Sequence, residues 1–241
     1  MKRSFFFTYG LVSHLLFLVV FAAMAGFVGN LFVPWTIDSG GASFSWSALA
    51  IDLGLLLLFA VPHSVMARPG FKRRWTRVIP AEIERSTYVM VANLCVIALI
   101  AFWQPIGPVI WSIEGGVGRT ILWGLFAAGW LMVPLVSLLI NHFDLFGTRQ
   151  VWLSLKGRSY EPLAFRTPGI YRFIRHPLYV GWMLAFWATP VMTAGHLLFA
   201  GVLTAYMLVA IPIEERDLVA DLGDEYRNYR EKVPALVPRM R

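Results

Sequence analysis

Three groups of residues in this chain have the types and spacing to do chemistry. The first is Arg175-His176-Pro177-Leu178-Tyr179, with Gly181 two residues further on. Proline suits the first position of a helix, where its missing N–H costs nothing, so Arg175 and His176 fall at a positively polarised helix N-terminus where an anionic group can dock. The second is the adjacent carboxylate pair Glu214-Glu215, followed by Tyr226 and Tyr229, which together offer acceptors and aromatic surface. The third is His142 with Asp144, and His63 far upstream. An imidazole near a carboxylate is a base with an orienting partner, and His63 is a second candidate for the base. Each group also has a plainer reading. His-Pro can be only a helix start with its arginines anchored at an interface, Asp144 only a helix cap, and His63 only interfacial polarity. Arg149 can hold a carboxylate of a ligand or bridge to Asp144 or Glu161.

The elements that must position these residues are apolar helices. Of 241 residues, 58% are hydrophobic and 15% charged, and the mean hydropathy is +0.63, far outside the soluble range. Segments able to span a bilayer run over residues 9–33, 47–67, 86–104 and 119–140, followed by a pair at 178–193 and 196–213. The fold class expected is therefore all-α: a polytopic transmembrane protein of five to six membrane segments, ending in a helical hairpin. One long kinked helix is the alternative for the last pair, since Pro190 and Gly195 permit either. The apolar run after Met1-Lys2-Arg3 has no small-residue cleavage site and reads as a retained first span. The single Cys95 rules out an intrachain disulfide.

A net charge of +7 raises the question of nucleic acid, and the placement of the cations answers it. Twenty of the twenty-one Lys and Arg residues fall before the first span, between the second and third, between the fourth and fifth, or after the sixth. The positive-inside rule then puts both termini, the loop 141–175 and the tail 214–241 in the cytoplasm. The basicity is topological, so no nucleic acid is expected. A single domain is expected over residues 1–241, with 1–140 as a four-span scaffold and 141–241 as the core that carries the chemistry.

The order Arg175-His-Pro-Leu-Tyr179-x-Gly181, an apolar hairpin, Glu214-Glu215-x-x-Leu218, Gly223-x-x-Tyr226-x-x-Tyr229 and a closing pair of Val-Pro steps resembles the isoprenylcysteine carboxyl methyltransferase superfamily of integral membrane enzymes. The resemblance implies that S-adenosylmethionine binds between hairpin and tail, and it places that superfamily's His, Tyr and Glu on His176, Tyr179 and either Glu214 or Glu215. The ligand carries a carboxylate, an ammonium, a sulfonium and an adenine. Arg175, His176, Pro177, Tyr179, Gly181, Glu214, Glu215, Tyr226, Tyr229 and Arg239 form the expected cofactor set, and no metal is expected. The tail departs from the superfamily pattern, with Ala235 after Pro234 and a basic residue only at Arg239, which fits a small neutral acceptor better than a prenylcysteine carboxylate.

Two upstream stretches, residues 59–68 with 84–88 and residues 141–150, resemble the bacterial methanethiol S-methyltransferases, and this extends the similarity over most of the chain. The His63-Ser64 stretch also resembles membrane proteins associated with nitric oxide reduction, so a non-catalytic protein holding haem through His63 is an alternative, as is methylation of a lipid or prenylated thiol or carboxylate. The resemblance implies transfer of methyl from S-adenosylmethionine to methanethiol, giving dimethyl sulfide. The thiolate is the effective nucleophile, so His142 with Asp144, His63, or solvent must take the proton. A bacterial inner-membrane location follows, with a small thiol and membrane lipid as partners and no obligatory protein partner. Residues 109–118, ending in Glu114-Gly-Gly116-Val-Gly118, look superficially like the glycine fingerprint of soluble methyltransferases. They lack repeating strand–helix units and read as a loop.

Overall fold

The computed structural model describes residues 1–40 and 43–238. The described residues form helices α1 Lys2–Gly29, α2 Trp46–Met66, α3 Pro69–Trp75, α4 Ala81–Phe102, α5 Gly116–Ile140, α6 His142–Leu145, α7 Thr148–Leu155, α8 Pro177–Trp187, α9 Ala194–Leu222 and α10 Asp224–Lys232, with short strands β1 Val109–Ser112 and β2 Val191–Thr193. Helices α1, α2, α4, α5 and α9 are long and apolar enough to cross a membrane, whereas α8 has 11 residues. Their apolar side chains do not all turn inward. Leu11, Leu15 and Leu18 on α1, Leu57, Leu58 and Val61 on α2, and Leu131, Leu135 and Leu138 on α5 are exposed. Helices apolar on every face, with leucine left outside, suit hydrocarbon rather than water. The chain is an integral membrane protein.

Several boundaries differ from those expected: α4 starts at Ala81 rather than 86, α8 ends at Trp187 rather than 193, and α9 runs on to Leu222 rather than 213. Helix α1 stops at Gly29 because Asn30 turns left-handed at φ 55° and Leu31 N–H folds back onto Gly26 O at 2.8 Å. A Cβ on Gly26 would lie 2.6 Å from Leu31 O, so this reversal needs a glycine there. In the 109–118 stretch, expected to be a loop, residues 109–112 form β1. Ile113 N–H donates to Pro190 O at 2.9 Å and Ala194 N–H to Pro108 O at 3.0 Å, so the pairing is antiparallel, a closure between two connections rather than a nucleotide-binding sheet. The last pair of segments is a hairpin. Trp187 Nε1–H donates to Thr204 Oγ1 at 2.9 Å while Tyr179 OH donates to Glu214 at 2.9 Å, which sets α8 and α9 antiparallel.

The residues group into two compact units. One comprises Met1–Ile110, Phe143–Pro162 and Met192–Phe199, and the other Trp111–His142, Leu163–Val191 and Ala200–Arg241. Within the first, α1 and α4 run parallel and share buried polar groups: Ser13 Oγ donates to Ser86 O at 2.8 Å, and Asn93 Nδ2 to Ser13 O at 3.0 Å. Such bonds join helices where apolar burial alone gives little drive. Helix α7 lies along the start of α1, with Val151 against Gly10, Trp152 against Phe7 and Thr148 against His14. Its entry depends on Gly147, at φ 84° and so close to Ser86 that a Cβ would stand 2.7 Å from Ser86 N. In the second unit α5 and α8 meet at Gly129 and Gly181. A Cβ on Gly129 would fall 2.5 Å from Ala185 N, and one on Gly181 3.3 Å from Val133. Gly181 therefore serves this close crossing.

Candidate active site

The second unit gathers most of the residues singled out at its polar end. Helix α8 begins at Pro177 with His176 as its N-cap, as the His-Pro step predicts. Glu215, near the end of the long α9, reaches back to both residues before that start: Arg175 Nε donates to Glu215 Oε1 at 2.7 Å, and His176 Nε2 lies 2.9 Å from the same oxygen. The Arg175 and Glu215 side chains are only 10% and 8% exposed. A carboxylate so enclosed needs both partners, because a buried charge without compensation is costly.

The same arginine fastens the tail. Arg175 Nη1 donates to Arg230 O at 2.9 Å and to Val233 O. The backbone N–H groups of Arg175 and His176 donate to Pro234 O and Ala235 O, both at 3.0 Å. The sequence reading gave these donors to an anionic ligand. In the structure they hold the chain's own tail, and the Glu215 carboxylate answers the guanidinium charge.

Glu214 behaves differently from its neighbour. Its side chain is 43% exposed, its Oε2 accepts from Tyr179 OH at 2.9 Å, and His176 Nδ1 stands 3.9 Å away. His176 and Tyr179 stack with ring centroids 5.4 Å apart and planes 8° from parallel. An open carboxylate beside a stacked aromatic pair suits a ligand with hydroxyl or ammonium donors and an aromatic ring. Behind it Tyr226 and Tyr229 pack edge-on to each other and to Phe165, and Tyr229 OH donates to Tyr171 O at 2.6 Å. Burial pushes the Tyr229 phenol up to about 12 and those of Tyr226 and Tyr171 well above the ordinary tyrosine range, so all three are neutral donors. Arg239 lies outside the described residues. The donor set therefore fits the cationic, hydroxyl and aromatic parts of S-adenosylmethionine, with Glu214 as the accessible acceptor.

His142 belongs to this unit too. Helix α5 ends at Asn141, left-handed at φ 92°, and the turn brings His142 Nδ1 within 2.7 Å of Ser137 Oγ. Ser137 Oγ also donates its single hydrogen to Pro134 O at 2.8 Å, so toward His142 it can only accept. Nδ1 then carries the ring proton and Nε2 the lone pair. Burial lowers the His142 pKa below its ordinary 6.5, so the ring is neutral at pH 7. Leu139, three residues earlier, packs where a Cβ on Gly169 would be 3.2 Å away, and Gly169 opens the turn that carries Tyr171.

Asp144, expected to orient His142, and His63, the second candidate base, lie in the first unit. Asp144 accepts from Arg149 Nη1 at 2.8 Å and from Tyr160 OH at 3.2 Å, and Arg149 also donates to Glu161 O at 3.0 Å. Of the two bridges considered for Arg149, the one to Asp144 forms, while Glu161 contributes its backbone carbonyl. His63 Nε2 lies 2.9 Å from Tyr88 OH, and its ring stacks on Phe59 at 4.9 Å. Sequence reasoning missed Ser137, Tyr171 and Tyr160. A lone hydroxyl near the end of an apolar span was the available signal for the first. The other two look like ordinary interfacial tyrosines.

The chain is 50% identical over 238 residues to methanethiol S-methyltransferase from Crocosphaera subtropica, covering 99% of this chain and 93% of that protein. It is also 50% identical over 238 residues to methanethiol S-methyltransferase from Mycobacterium tuberculosis, covering 99% and 98%. The chain belongs to the methanethiol S-methyltransferase family. The phospholipid methyltransferase family model matches residues 125–224, which run from within α5 to the start of α10 and hold every described candidate except His63, Tyr226 and Tyr229. Human nurim is 34% identical over 179 residues, 70% of this chain and 68% of nurim. No solved structure matches.

Proposed function

We propose that this protein methylates methanethiol to dimethyl sulfide, with S-adenosylmethionine as methyl donor and S-adenosylhomocysteine as co-product. The observation that carries the reading is the Arg175–Glu215–His176 tie with its open neighbour Glu214, within a chain half identical along nearly its whole length to methanethiol S-methyltransferases. S-adenosylmethionine, when bound, supplies an electrophilic methyl group on a sulfonium. Glu214 would accept from its hydroxyl or ammonium groups, and the His176–Tyr179 stack offers a flat surface and a negative ring face toward its cationic end. Arg175 and Glu215 act at one remove by locking tail and hairpin together.

His142 takes the thiol proton at Nε2, because Ser137 holds the hydrogen-bearing nitrogen on the opposite side of the ring. Asp144 anchors the α6–α7 segment through Arg149 and Tyr160, and His63 ties α2 to α4 through Tyr88. Both termini, the 141–175 loop and the tail face the cytoplasm of a bacterial inner membrane, where the donor is made, while an apolar volatile thiol enters from lipid.

Isothermal titration with S-adenosylhomocysteine tests the binding half. Wild type binds, and Glu214→Gln loses about tenfold in affinity, the cost of one charge-assisted hydrogen bond. Undiminished affinity in Glu214→Gln removes that residue from the site.

A further inference from the structure

The first unit holds a cavity of about 730 Å³ at the polar ends of α1 and α4, apart from the residues assigned to methyl transfer except for the Asp144 anchor. Its charges are arranged in an unusual way. Arg3, at the start of α1, and Arg158, just past α7, line it, as do Glu82 and Glu84 in the first turn of α4. Among the described residues none of these four forms an ion pair. Arg3 is seated against the α7 terminus, where Gly157, at φ 70°, leaves its guanidinium 3.0 Å from the place a Cβ would take. Lys72, Arg85 and Asp144 also line the cleft, Arg85 donating to Leu145 O at 2.6 Å and Asp144 pairing with Arg149, so cations and carboxylates are mixed there while Arg3, Arg158, Glu82 and Glu84 do not pair with one another. Gln150, a further lining residue, donates its Nε2–H to Asp144 O at 3.1 Å, and its Oε1 is buried without a hydrogen-bond partner. A buried acceptor of this kind needs a donor.

We infer that this cavity binds a headgroup bearing a phosphate and a primary ammonium, as in a phosphatidylethanolamine, which is held there and not methylated. The phosphate pairs with Arg3 and Arg158, and the ammonium, with three hydrogens, bonds Glu82, Glu84 and Gln150 Oε1. A purely anionic headgroup takes up the cations and brings none of its own to Glu82, Glu84 and the buried Gln150 Oε1. A trimethylated ammonium cannot donate at all. The position at the ends of two spans is the depth at which lipid phosphates lie.

The test uses the full protein purified in detergent and titrated with short-chain phosphatidylethanolamine, phosphatidylcholine, phosphatidylglycerol and soluble glycerophosphoethanolamine, with binding read by native mass spectrometry and by the shift in melting temperature. Phosphatidylethanolamine binds about fivefold or more tighter than the other two lipids, and the double variant Arg3→Gln/Arg158→Gln loses about tenfold. Glu82→Gln, a single change at an exposed helix start, removes the preference over phosphatidylglycerol while leaving the melting temperature without lipid unchanged. Equal binding of the three lipids, or a preference that survives both variants, overturns the proposal. Equally tight binding of glycerophosphoethanolamine overturns the lipid as the source and assigns the site to a soluble phosphate ester.

Discussion

Glu214 and Glu215 are adjacent in sequence and opposite in role, and the difference follows from where one turn of α9 points them. Glu215 neutralises Arg175 in a nearly closed environment, so Glu215→Ala leaves a buried guanidinium unpaired and costs about 3 kcal/mol, measured as a fall in unfolding free energy in mild detergent. Glu214→Gln leaves stability within about 0.5 kcal/mol and acts on donor affinity instead. The two predictions exchange if the roles are reversed. The sequence identified the pair but could not divide it, because residues about 100° apart on a helix look alike until the packing partner is known. For His142 the sign of the pH effect follows from burial. With its pKa held below 6.5, kcat/KM for the thiol falls as the pH drops through that lowered value and is flat above it, where Nε2 is unprotonated. His142→Gln removes the plateau, lowers kcat/KM about a hundredfold at pH 7 and leaves a rate that climbs with pH as solvent ionises the thiol. A flat wild-type profile matched by the variant rules out His142 as base.

Between elements, two contacts set the site: the α5–α8 crossing and the clasp of the tail over the start of α8. Gly129→Ala places a methyl 2.5 Å from the Ala185 backbone, which cannot yield as a flexible side chain does, and lowers stability by about 3 kcal/mol. The clasp is alkali-sensitive. Tyr229 is raised to about 12 in the fold against 10.0 for an ordinary tyrosine, so its contribution is complete below pH 10 and is lost as the pH rises through 12. Limited proteolysis across this range reads the release of residues 233–238, and unchanged protection at pH 12 contradicts the assignment. The five long spans and the α8–α9 hairpin were legible because an apolar run and a proline-led start are local signals. The β1–β2 pairing and the insertion of α7 beside α1 were not. Each depends on residues far apart in the chain, and the second turns on Gly10 and Gly147, whose need for close approach leaves no periodic trace.

The whole molecule is a membrane scaffold that brings a polar turn, a hairpin mouth and a tail to one end of the second unit. Its cations carry the inference of sidedness, and a C-terminal fluorescent fusion made in bacteria is therefore bright while a C-terminal phosphatase fusion is inactive; the reverse result inverts the topology. Charge alternation along the chain was enough to expect this, whereas the division of labour among the polar residues required coordinates. In sequence His142 read as a base oriented by Asp144, with His63 as a second candidate, yet their partners include Ser137 for His142, Arg149 and Tyr160 for Asp144, and Tyr88 for His63. The central claim is the acceptor, and the direct measurement is the fate of a labelled methyl group. Purified protein given methyl-labelled S-adenosylmethionine and methanethiol in the presence of bilayer lipid should release the label as volatile dimethyl sulfide, in proportion to S-adenosylhomocysteine formed. Label that accumulates in the lipid fraction, with none in the headspace, would contradict it.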